Sequence, residues 1–85
     1  MNLEQILAEN NLASIARFIF KDWKNVNFGA KPYLDAMLEL NKITDNYYED
    51  SGKSIVLYFL ANATGYRGEN ARTIKKYLNK LCNEN

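Results

Sequence analysis

Ser54-Ile55-Val56-Leu57-Tyr58-Phe59-Leu60-Ala61-Asn62-Ala63 is the stretch on which the fold turns. It is apolar nearly all round. Its β-branched and aromatic content would suit a buried strand, and its length would suit a buried helix. A strand needs a neighbour for its backbone N–H and C=O groups, and no second strand pattern stands elsewhere in the chain. The stretch therefore reads as a buried helix over residues 53–63. Asp50 or Ser51 is placed to cap it. Asn62, late in the run, needs hydrogen-bond partners if it is buried.

Helical periodicity holds on both sides of this segment. Downstream, Ala71, Ile74, Tyr77, Leu78 and Leu81 share one side at about 100° per residue. Arg72, Lys75, Lys76, Asn79 and Lys80 share the other, so residues 68–82 read as an amphipathic helix. Upstream, Leu12, Ile15, Ala16, Ile19, Phe20, Trp23 and Val26 form one arc, with Arg17, Lys21 and Lys24 opposite. That is a helix over 12–25, in which Phe18 is a misfit that points toward the polar side. Asn2 with Gln5 offers a capping box for a short helix over 3–9, and Asn10-Asn11 ends it and supplies the next cap. Pro32 suits the first turn of a helix over 32–42. Its apolar stripe (Tyr33, Leu34, Ala36, Met37, Leu38, Leu40) is wide enough to imply burial on two sides or one side kept for a partner. Residues 43–52 read as a loop. The sum is an all-α, compact bundle of four or five short helices in a single domain over 1–85, with a core around Trp23, Phe59, Leu60 and Leu78.

Composition narrows the function. The chain has 85 residues, 47% hydrophobic and 25% charged, as an ordinary globular domain has. A domain this short buries only about 60% of its unfolded surface, so its core is marginal. Eleven basic and ten acidic residues leave a net charge of +1, too balanced for a polybasic nucleic-acid binder or an acidic DNA mimic. With no His, the commonest general base and metal ligand is missing. Cys82 is the single cysteine, so no internal disulfide and no cysteine-based zinc site can form. A lone cysteine fits a reducing, cytoplasmic setting. Glu4 and Glu9 with no basic cluster do not make a signal peptide. The longest apolar run, residues 55–61, is far short of the ~20 residues that span a bilayer.

Motifs add little chemistry. Gly52-Lys53-Ser54 resembles the end of a P-loop, but Tyr47 stands where the motif requires its first glycine, and Glu49 and Asp50 would repel phosphate. Asp45, Glu49 and Asp50 lack the spacing of an EF-hand and read as a solvated acidic turn. Asp35 and Glu39, one turn apart, read as a solvated strip beside Lys42 rather than a catalytic pair. Asn62-Ala63-Thr64 matches a glycosylation acceptor, which has no meaning without secretion. The expectation is no catalysis, no cofactor and no metal.

The candidate binding surface is aromatic and basic. Between residues 66 and 80 stand Arg67, Arg72, Lys75, Lys76 and Lys80 against only Glu69. Tyr66 beside Arg67 could anchor a protein pocket or stack on a base. Tyr47 and Tyr48 lie in the predicted loop, where an aromatic is satellite core or a binding anchor. Tyr47, Tyr48, Tyr66, Arg67, Arg72, Lys75, Lys76 and Lys80 are thus the candidate partner-binding residues. A protein partner is expected first, with nucleic acid held by the basic last helix as the alternative. Self-association through Tyr33, Met37 and Leu40 is a further expectation, and it would support so small a core.

From Gly29 onward the chain resembles a group of small uncharacterised proteins carried by prophages and conjugative elements of Gram-positive bacteria. The resemblance lies in Lys31-Pro32-Tyr33-Leu34-Asp35-Ala36-Met37, Asp50-Ser51-Gly52-Lys53-Ser54, Tyr58-Phe59-Leu60-Ala61-Asn62-Ala63 and Arg67-Gly68-Glu69-Asn70-Ala71-Arg72. It implies a cytoplasmic host setting and a mobile-element gene, and brings no activity or site residue with it. Inhibitors of bacterial defence systems carried by phages are often this small and non-catalytic, so that role is admissible.

Overall fold

The structure, a computed structural model, describes residues 2–84. Five helices follow in order: α1 (Leu3–Ala8), α2 (Leu12–Asp22), α3 (Lys31–Met37), α4 (Gly52–Ala61) and α5 (Glu69–Asn83). A minimal antiparallel hairpin, β1 (Asn46–Tyr47) and β2 (Asp50–Ser51), stands before α4. The stretch that decides the fold is therefore a helix, and the chain is mostly helical.

Local chemistry sets the helix starts. Asn2 accepts from the Gln5 N–H while the Gln5 side chain accepts from the Asn2 N–H, the reciprocal capping box. Asn10 takes the left-handed conformation (φ 57°) that ends α1, which asparagine tolerates better than most residues. Asn11 then accepts from the Ser14 N–H to open α2, and Ser51 accepts from the Ser54 N–H to open α4. Pro32 sits in the first turn of α3.

Every helix but the last ends earlier than its periodicity predicts: α1 at Ala8 and α4 at Ala61 by a residue or two, α2 and α3 by more. α2 stops at Asp22 instead of 25, because Trp23 leaves the helical conformation (ψ 93°) to pack inward. α3 stops at Met37 instead of 42. Its last turn tightens, with Glu39 N–H donating to Ala36 and Leu40 N–H to Met37. The carbonyls of Leu40 and Asn41 then accept from the N–H groups of Ala13 and Leu12, donors that have no partner inside α2. The early stop of one helix thus satisfies the start of another.

The expected loop over 43–52 contains the hairpin, which departs from a purely α architecture. Its register pairs Asn46 with Ser51 and Tyr47 with Asp50, leaving Tyr48-Glu49 as a two-residue loop. Such loops require positive φ, and Tyr48 has φ 56°. The Asp45 carboxylate accepts from the N–H groups of Asn41 and Lys42, and the Asp45 carbonyl accepts from Gly52 at 2.7 Å. The hairpin base is thereby fixed to the start of α4.

The core runs through Leu12, Ile15, Ile19, Leu34, Met37, Val56, Phe59, Ile74 and Leu78, all fully buried. Trp23 closes one end, edge-on to Phe59 (ring centroids 6.5 Å) and stacked on Tyr66 (5.1 Å, 17° between planes). Leu60, expected in the core, is only half-buried, since it turns toward the rim of α4. Phe18, the misfit of α2, is half-buried and packs against the core. Most of the wide stripe of α3 is buried within the fold: Leu34, Ala36, Met37 and Leu40 are covered, half-buried Tyr33 stacks on Tyr58 at 5.3 Å, and Leu38 stays exposed. Met37 and Leu40 therefore cannot reach a second copy while the domain is folded. Among the described residues no helix is long and apolar enough to cross a membrane.

Candidate docking face on the last helix

Three of the candidate residues share one outward face. Arg72, Lys76 and Lys80 are all exposed and recur every fourth residue of α5. At 1.5 Å rise per residue they form a line of charges about 6 Å apart. Among the described residues the only ion pair is Lys31–Asp35, so none of the three is held in one. Two exposed polar neighbours are tied back to the helix backbone. The Thr73 hydroxyl donates to the Glu69 carbonyl, and the Asn79 amide donates to the Lys75 carbonyl. The three cations make no side-chain hydrogen bond of this kind among the described residues.

The other expected residues are placed differently. Tyr66 is 2% exposed, so it is a core residue and offers no free docking surface. Its ring lies on Trp23 and its hydroxyl donates to Asp22 Oδ2 at 2.7 Å. Burial, then the hydrogen bond and charge of Asp22, hold the phenol well above its ordinary pKa. Asn70 Nδ2 donates to the second Asp22 oxygen at 3.1 Å. Lys75, beside Lys76 in sequence, points the other way. Its Nζ donates to the Tyr66 carbonyl at 2.6 Å and lies 5.9 Å from the Tyr66 ring. Desolvation, followed by the Arg67 charge, lowers its pKa. Arg67 is exposed on the turn before α5, its Nε donating to the Thr64 carbonyl.

Tyr47 and Tyr48 form a separate group. Tyr47 is half-buried against the core, and Tyr48 stands 88% exposed at the hairpin tip, the two rings edge-on at 4.8 Å. Among the described residues, no hydrogen bond, ion pair or ring contact joins them to the α5 cations.

Asp22, the acceptor for Tyr66, and Asn70, which donates to the same carboxylate, are not legible as a site. A carboxylate near the end of one helix and an amide near the start of another meet only once the bundle is formed. A second feature, the exposed apolar set Phe28, Leu57 and Tyr58, had one signal in the sequence. A helix apolar all round should be buried all round, and α4 is not. Cys82 is buried, and burial pushes its thiol up against the opposing charge of Lys53. Asp35 is exposed and pairs with Lys31 at 3.4 Å. No group of His, Cys, Asp and Glu suited to hold a metal occurs among the described residues. Comparison with protein-family models, with curated proteins and with solved structures finds no match to this chain.

Proposed function

We propose that this is a small non-catalytic binding protein of the cytoplasm, carried by a phage or another mobile element, that acts by docking a macromolecule through the outer face of α5. A protein is the favoured partner, and a component of a bacterial defence system would fit the setting. The observation that carries the reading is the line of Arg72, Lys76 and Lys80, exposed and with none of the three in an ion pair among the described residues. Like charges four residues apart destabilise an isolated helix. An acidic residue at any of the three positions would have relieved that cost.

Two facts favour protein over nucleic acid. The line carries no exposed aromatic for base stacking, because Tyr66 is buried and Tyr77 is half-buried with its hydroxyl donating to Asn10. The net charge of +1 leaves little long-range attraction for a polyanion. Absence of catalysis is supported by the missing histidine and by a buried thiol whose pKa is raised.

The test is affinity capture from the host with the wild-type chain and with R72Q/K76Q/K80Q, read by mass spectrometry, beside a salt titration against duplex and single-stranded DNA. The reading expects a protein retained by the wild type and lost by the variant, and no DNA binding at moderate salt. DNA affinity that falls steeply with salt supports the nucleic-acid alternative instead.

A further inference from the structure

The spacing of the α5 cations carries the proposed docking one step further, and the step rests on that reading. We infer that the partner contributes an acidic helix whose carboxylates recur every fourth residue and that crosses α5 with its acidic row beside the cationic one. The three cations project from successive turns of one rigid element, with no side-chain hydrogen bond of their own among the described residues. A helix with glutamate or aspartate at i, i+4 and i+8 repeats the same interval of about 6 Å. Its row runs beside that of Arg72, Lys76 and Lys80 when the two helices cross at about 50°, and then meets all three without distorting either backbone. Acids bunched elsewhere on a helix would reach one or two of the three.

The flanks fit such a partner. Glu69 precedes the line and Glu84 follows it, and both are exposed. These acids bracket the cationic segment and disfavour an anionic partner that slides past either end, as a phosphate backbone would. Lys75 stays outside the contact, since its Nζ is held by the Tyr66 carbonyl. Arg67 lies on the turn and off the line. The chemistry of recognition is ion pairing on a polar helix face, where each exposed pair adds little and matching all three sets the specificity.

The experiment uses the full chain and two synthetic peptides of identical composition. One is an alanine-based helix with glutamates at i, i+4 and i+8. The other spreads the same glutamates around the helix. Amide chemical shifts and salt-dependent affinities are recorded for the wild type and for R72Q/K76Q/K80Q, with circular dichroism confirming that the variant keeps its fold. The expected result is that the aligned peptide shifts the amides of residues 72–80, binds about tenfold tighter than its isomer, and loses that advantage in the variant. Equal affinities for the two peptides, both weakened in the variant, overturn the helical register and leave α5 docking standing. Peptide binding indifferent to the variant, or a duplex oligonucleotide that binds tighter than the aligned peptide at the same salt, overturns both.

Discussion

Replacing Tyr66 by phenylalanine removes a single oxygen and keeps the ring stacked on Trp23, so it isolates the hydroxyl that donates to Asp22. A hydrogen bond to a charged group is worth about 1.5–3 kcal/mol. Asp22 is itself exposed and still holds Asn70, so water can replace the lost donor in part. That places the loss at the low end, about 1–2 kcal/mol, or roughly 5–15 °C in melting temperature for a domain of this size. The assay is urea and thermal unfolding of Tyr66→Phe, Asp22→Asn and the double variant. A coupling of about 1 kcal/mol is expected between the two sites. The pH dependence gives a second reading. Because burial and Asp22 hold the folded phenol above its ordinary value, the folded chain keeps that proton when the unfolded chain releases it. The associated stability is complete below pH of about 10 and declines as pH rises past it. Tyr77, also raised, acts with the same sign. Lys75, lowered, acts with the opposite sign, since its desolvation no longer matters once the unfolded lysine is neutral. Tyr66→Phe should therefore shallow the alkaline decline without abolishing it. A change under about 0.5 kcal/mol, or strictly additive single variants, would refute the cross-link between α2 and the turn before α5.

Five further substitutions address the packing and the hairpin base. At Gly52 an added Cβ would lie 2.7 Å from the Ile43 carbonyl oxygen and 3.0 Å from that of Asp45, both backbone atoms that cannot swing aside; Gly52→Ala should cost about 1–3 kcal/mol. Gly65→Ala, whose Cβ would meet only Trp23 Cζ2 at 3.7 Å, should stay within about 0.5 kcal/mol, and equal denaturant midpoints for the two variants would contradict the placement of the hairpin base. Phe59→Ala should cost about 3–5 kcal/mol and half-buried Leu60→Ala under about 2, the reverse order being inconsistent with the orientation of α4. The Asp45 carboxyl is held below its ordinary pKa by the N–H groups of Lys42 and Asn41, so its contribution is present at neutral pH and lost as pH falls through the folded value. Asp45→Asn should accordingly flatten the acid limb of a stability–pH profile below pH of about 4.

What the sequence makes legible here follows the range of the interaction involved. The caps at Asn2, Asn11 and Ser51 each act within three residues, so they can be read in one pass. Periodicity likewise places Arg72, Lys76 and Lys80 on one face of α5. The end of α3 is not legible, because its cause lies in α2, whose N–H groups claim the carbonyls of Leu40 and Asn41. The hairpin is hidden for another reason: its strands are two residues long, and its turn places a tyrosine at a positive φ that usually belongs to asparagine or glycine.

Tyr66 shows what this means for a candidate site. Beside Arg67 in a turn it has the local features of an exposed anchor, and only its meeting with Trp23 and Asp22, distant in sequence, makes it core. Lys75 follows Tyr66 inward, because its ammonium is the donor that the buried turn's carbonyl receives. A charge count treats the basic residues of this segment as equivalent. Packing divides them into three that face outward in line, one on the turn and one committed to the fold. The division has a measurable consequence: Lys75→Met should cost stability through the Tyr66 turn and leave docking intact, whereas Lys76→Gln should do the reverse. Two variants one residue apart, compared by melting temperature and by affinity for the aligned peptide, thus separate the cation that builds the domain from the cation that serves it. If both lowered affinity equally with no change in stability, the division would fail.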